Sequence, residues 1–147
     1  MEPYMRALAA VFLLSCLGAP ALAAAPAGVA ADHPILGIWR LEVPDAGCAE
    51  TYRFRADGTT FVTSAAEVSE SVYTIPTQPD KQGFYRLTDR ITKDNGKPDC
   101  SGNVMKPGAQ VINFIQFHPS RALFLMCADR TMQTCIGPFQ RVRGEEV

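Results

Sequence analysis

The sequence predicts an all-β protein, an antiparallel up-and-down barrel of eight short strands carrying disulfides at its loop-bearing end. Three observations lead there. Apolar and polar residues alternate along most of the chain between residues 35 and 142, and no stretch after residue 33 sustains a helical period. Four of the five cysteines fall in or beside connections that a meander places at one end. A closed sheet also leaves no strand edge bare.

The first residues concern the compartment. Residues 1–6 form a short n-region, residues 7–17 are apolar, and Ala21, Ala23 and Ala24 supply a small-residue cleavage site, so residues 1–24 read as a signal peptide. The apolar run is shorter than the ~20 residues of a membrane-spanning helix. A periplasmic or secreted location is therefore expected. Cys16, behind Leu13, Leu14 and Ser15, sits where a lipidated cysteine would, but Leu14 is unusual there and the alanine-rich run downstream offers a better cut. Lipoprotein anchoring through Cys16 is the lesser alternative. Residues 25–33 are small and read as a disordered leader, residues 34–143 as one domain, and residues 144–147 as a tail.

The strands follow in order. Residues 35–43 place Ile35, Gly37, Trp39, Leu41 and Val43 on one face and Arg40 and Glu42 on the other. In residues 50–64, Tyr52 and Phe54 alternate with Arg53 and Arg55, Ala56-Asp57-Gly58 makes the turn of a hairpin signalled by Asp-Gly, and Phe61 resumes the inward pattern. A fourth strand is expected at 71–75, stopped by Pro76, and a fifth at 83–92 with Phe84, Tyr85, Leu87 and Ile91. Residues 93–108 are a long polar loop rich in Gly and Pro. Strands at 111–117 and 121–127 face each other across His118-Pro119-Ser120, and 135–142 closes the domain.

Successive strands of a meander reverse direction, so their connections alternate between two ends. Asp57-Gly58, residues 78–82 and Pro119 share one end, made of tight turns; residues 43–49, 65–70, 93–108 and 128–134 share the other. Cys48, Cys100, Cys127 and Cys135 all belong to the second end. An even thiol count in an oxidising space favours disulfides, with Cys48–Cys100 and Cys127–Cys135 preferred because the latter two flank a hairpin, and Cys48–Cys135 with Cys100–Cys127 as the runner-up. Longer loops at one end of a rigid scaffold are where binding sites usually lie.

Gly37-Ile38-Trp39 at the start of the first strand resembles the G-x-W signature of lipocalins and related calycin-type barrels. The resemblance implies that Trp39 sits at the closed end with a basic side chain of the last strand, Arg141 or Arg143, across its ring. Gly37, Trp39, Arg141 and Arg143 would then be structural. It also implies a ligand inside the barrel, although a narrow barrel can fill itself with side chains.

The remaining chemistry argues against an enzyme. His33 and His118 fall at separate places, no serine has a nucleophile-elbow context, and no cysteine has a histidine placed in sequence to activate it. Asp89, Asp94 and Asp99 read as solvated carboxylates, and Glu50 or Glu67 near the mouth reads as a surface salt-bridge partner of Arg53 or a neighbouring lysine, with the orienting of a ligand as the lesser alternative. Met126, Cys127, Met132 and Cys135 are a sulfur-rich group of the kind that selects Cu(I), but a disulfide is the simpler reading, and no metal or cofactor is expected. The net charge of −1 with interspersed signs offers no footprint for nucleic acid. Residues 111–117 and 122–126 are apolar on both faces, so a homodimer, a protein partner, the leader or the long loop is expected to cover the sixth and seventh strands.

The expectation is a secreted or periplasmic non-enzymatic barrel that binds a small, largely apolar molecule, with Tyr52, Phe54, Phe61 and Tyr85 lining the cavity. The alternative is a secreted inhibitor or envelope interaction module whose disulfide-laced loops engage a protein. Interior volume separates the two.

Overall fold

A computed structural model describes residues 28–144. The expected signal peptide, Cys16 and the last three residues lie outside the described residues. Eight strands form one closed antiparallel sheet in which each pairs with its sequence neighbours and the last returns to the first. They are β1 Gly37–Val43, β2 Cys48–Phe54, β3 Thr59–Ser64, β4 Glu67–Thr74, β5 Tyr85–Asp94, β6 Gln110–Phe117, β7 Leu123–Cys127 and β8 Cys135–Arg141. The closing seam pairs Trp39 with Arg141 and Arg40 with Gln140, and Val142 N–H extends it to the Ile38 carbonyl at 2.9 Å.

Turn chemistry sets the register. In the β2–β3 hairpin Asp57 Oδ1 accepts from Thr59 N–H at 3.0 Å and from Thr59 Oγ1 at 2.6 Å, and Gly58 takes φ 80°, a conformation costly for residues with a Cβ. Arg55 N–H bonds the Thr59 carbonyl at 2.9 Å, so the loop is three residues long, and Phe54 pairs with Thr60. A two-residue Asp-Gly loop would have paired Phe54 with Phe61. The one-residue difference flips β3: Thr60, Val62 and Ser64 point inward, and Phe61 stands on the outer wall in register with Arg53 and Glu70. Gly137 in β8 answers a different need. At φ 137° it faces β7 beside an irregularity in the β7–β8 pairing, where a Cβ would meet Leu125 Cδ2 at 2.9 Å.

Several strand boundaries depart from the sequence expectation, β1 and β7 each starting two residues later than expected, and two of the departures matter for the walls. β4 begins at Glu67, four residues before the expected 71, because Ala65-Ala66 alone makes the turn. β5 begins at Tyr85, and Phe84 lies in the preceding connection, 3% exposed, with its ring against Phe114 on the outer face of β6. Arg130 from the β7–β8 loop lies over the same Phe114 ring at 4.3 Å and holds Asp80 of the β4–β5 connection at 2.7 Å. Phe114 of the doubly apolar sixth strand is thus covered from within the described chain by these two connections. Ile112 stays 38% exposed.

The interior is divided along the barrel axis. Toward the tight-turn end, Trp39, Phe124, Phe139, Phe54 and Tyr73 pack edge-to-face or stacked, with Ile35, Leu87 and Ile115 between them. Trp39 Nε1–H donates to the Ile35 carbonyl at 2.7 Å. Arg141 lies over the indole at 4.2 Å while its guanidinium donates to the carbonyls of Leu36 (2.7 Å) and Pro34 (2.6 Å). Arg141 is therefore the basic residue across Trp39; Arg143 is exposed beyond the strand. The segment 28–36, expected in part as a disordered leader, closes this end. Val29 N–H bonds the Ala56 carbonyl at 2.8 Å, and His33 is buried, its Nδ1 accepting from Ile35 N–H at 3.1 Å and its Nε2 3.1 Å from the Pro76 carbonyl. Burial lowers the His33 pKa, in keeping with a neutral ring in that role.

Candidate functional site

At the other end the barrel opens into a cavity of about 200 Å³. Its floor is apolar, formed by Phe54, Leu87 and Met126 above the aromatic packing, and its walls carry polar side chains among Val62, Ile91 and Val111. Strand alternation explains the walls: β4 turns Glu67, Ser69 and Ser71 inward and Val68 outward, β2 turns in Glu50 and Tyr52, and β5 turns in Asp89. The long loop supplies Asp99 and Met105.

The loop is tied down at the mouth. Cys48, at the first residue of β2, is disulfide-bonded to Cys100, and Cys127 to Cys135 across the ends of β7 and β8. All four cysteines therefore lie at the loop-bearing end, as two disulfides that belong to an oxidising, non-cytoplasmic environment. No described helix is long and apolar enough to cross a membrane. Asn95 Nδ2 donates to the Ala66 carbonyl at 2.9 Å, fixing the loop to the β3–β4 turn as well. A hydrogen-bond chain runs from loop to wall: Cys100 N–H donates to Ser64 Oγ (2.9 Å), Ser64 Oγ donates to Glu50 Oε1 (2.7 Å), and Tyr52 OH donates to Glu50 Oε2 (2.6 Å).

The carboxyl groups differ in how well they are served. Glu50 has its two donors. Asp89 accepts from Ser71 Oγ at 2.7 Å, and burial, partly offset by that bond, raises its pKa. Asp99 Oδ1 accepts from Ser101 and Asn103 N–H, each at 2.8 Å. Glu67 is 5% exposed, and burial, followed by the neighbouring Asp94, Asp99 and Glu50, pushes its pKa up to about 7. Asp94 Oδ2 is buried and meets no donor among the described residues other than the Glu67 carboxyl, with which it can share a proton. The Thr60 hydroxyl has no partner among the described residues, on a residue 2% exposed in the cavity wall. No Lys, Arg or His lines the cavity.

Of the four aromatics expected to line a ligand site, Tyr52 and Phe54 do line it. Tyr85 points inward but at the opposite end, its ring 5.0 Å from His33 and 5.6 Å from Phe117. Phe61 is on the outer wall for the register reason given above. Asp89 belongs to the wall and Asp94 stands behind Glu67, where a solvated edge was expected. Thr60, Ser69 and Ser71 carried no sequence signal except their inverted alternation with Phe61, Val68 and Val72. A larger depression of about 500 Å³ lies at the tight-turn end around Gln116, Pro119, Leu125 and Pro138, without a carboxylate, lysine or arginine in its lining.

Compared with protein-family models, curated proteins and solved structures, the chain matches none of them.

Proposed function

We propose that the protein is a secreted or periplasmic, non-enzymatic binding barrel, lipocalin-like in layout, which holds a small, largely apolar molecule at its loop-bearing end. The observation that carries this reading is the space between the aromatic floor and the tethered loop, where apolar surface and a few convergent polar groups meet inside a rigid wall. At about 200 Å³ it has room for roughly seven waters at the ~30 Å³ each takes in the liquid, so the ligand is small. Glu50, held by Tyr52 and Ser64, gives the wall a fixed acceptor that would orient it.

Native mass spectrometry of the unreduced protein from its own host tests the proposal. A small adduct lost on denaturation is the expected result. In Val62→Phe, which places a ring into the cavity from β3, the adduct should vanish while the circular dichroism of the barrel persists. A bare wild-type mass would overturn the proposal in favour of an interaction module that works through its loops.

A further inference from the structure

We propose that the cavity selects a small organic cation, a molecule with an apolar body lying toward Phe54, Leu87 and Met126 and an ammonium group set against Glu67 at the mouth end of β4. This deepens the binding reading above and rests on it.

The first support is the division of the wall. Carboxyl groups reach or back the cavity from every polar side: Glu50 from β2, Glu67 from β4, Asp89 and Asp94 from β5, and Asp99 from the long loop. The lining itself holds no cationic side chain to neutralise them. A ligand anion would meet repulsion on each approach, whereas a cation would be drawn in, all the more strongly in a partly enclosed space of low dielectric.

A second observation is independent of charge. Thr60, 2% exposed in the cavity wall, has a hydroxyl without a partner, and Asp94 Oδ2 behind Glu67 has only the Glu67 carboxyl to meet. Buried polar groups in folded proteins are nearly always satisfied, so such orphans need an explanation. Glu67 is hydrogen-bonded to Asp94, a contact between two carboxyl groups that needs a proton between them, and no lysine, arginine or histidine of the lining stands beside the pair, while Thr60, level with Phe54 and Ser71, faces the space for the ligand's body. An ammonium group carries three donors and no acceptor.

The kind of cation follows from dispersion and size. No three of the described His, Cys, Asp and Glu side chains converge closely enough to hold a metal ion, so the charge must arrive on a larger frame that spans polar wall and apolar floor. The small volume restricts that frame to one ring or a short chain. Because Glu67 faces Asp94, Asp99 and Glu50 with Tyr52 and Asp89 further in, a bound ammonium would favour its ionised form.

Titration calorimetry on the disulfide-intact protein with phenethylamine, phenethyl alcohol and phenylacetate, one shape in three charge states, tests the proposal. At about pH 8 the amine should bind about tenfold or more tightly than the alcohol, as expected for one charge-assisted contact, and phenylacetate most weakly. The amine's advantage should shrink toward about pH 5, as Glu67 takes up its proton while the amine keeps its own. Glu67→Gln should remove most of that advantage by weakening the amine far more than the alcohol, and Asp94→Asn, behind the wall, should reduce it in the same direction. Equal affinity for amine and alcohol, or tightest binding of phenylacetate, would overturn the inference and leave the cavity reading standing. Absence of binding by all three would overturn both.

Discussion

Glu67 illustrates how one side chain links the fold to pH. Its carboxyl has a folded-state pKa of about 7, above the ordinary value of 4.5, so the folded protein binds more protons than the unfolded chain between those values. Its contribution to stability is accordingly whole below about pH 4.5 and is lost as pH rises through about 7. Glu67→Gln should therefore flatten the decline of Tm between about pH 4.5 and 7 and raise Tm above pH 7 relative to the parent; a parallel decline in both proteins would refute the assignment. Arg141 acts without titrating. It covers the Trp39 ring and satisfies two carbonyls of the segment that closes the barrel. Arg141→Ala leaves those carbonyls short of donors and should cost about 2–4 kcal/mol in urea unfolding. Arg143→Ala, at an exposed position, should change stability by less than about 0.5 kcal/mol.

At the scale of elements, legibility followed polarity. β1 was readable because its inward residues are apolar and its outward ones charged, the pattern that burial against a dry core produces. β4 was half readable for the opposite reason: its mouth end faces the cavity, so Glu67 and Ser69 are inside and Val68 is 40% exposed. Period-two alternation survives there with its sign reversed. Phe61 was misplaced although the turn Ala56-Asp57-Gly58 was legible, because that three-residue loop pairs Phe54 with Thr60 and sends Phe61 to the outer wall. The long loop is held by covalent chemistry that the spacing of cysteines did make legible. The Cys48–Cys100 bridge spans 52 residues and Cys127–Cys135 only 8. In the chain-entropy picture, replacing the first pair by serine should cost about 4 kcal/mol and the second about 2.5 kcal/mol. The first replacement should also weaken ligand retention, since it frees the segment carrying Asp99 and Met105, and the second should not. Calorimetric Tm together with adduct occupancy would check both; equal loss of occupancy in the two variants would contradict the lid role of residues 93–108.

For the molecule as a whole, closure and asymmetry matter together. Joining β8 to β1 pairs the last edge and fixes an inside, and the aromatic side chains fill only the end nearest the tight turns. Trp39, Phe124 and Phe139 occupy that end so fully that any ligand volume must lie toward the loops, where serines, threonine and carboxyl groups replace rings. Placing both disulfides at the looser end reinforces the part of the barrel with least apolar packing. A rigid mouth also reduces the ordering cost of binding.

By itself the sequence determined the all-β class, the up-and-down order of eight strands and the gathering of Cys48, Cys100, Cys127 and Cys135 at one end. These follow from local alternation, turn residues and strand parity, which act between near neighbours in the chain. Only the tertiary structure decided which wall Phe61 occupies, that Glu67, Ser69, Ser71 and Asp89 face inward, and that Asp94 stands behind Glu67. Those outcomes depend on register and on where the aromatic packing stops, and both are set by contacts between strands distant in sequence.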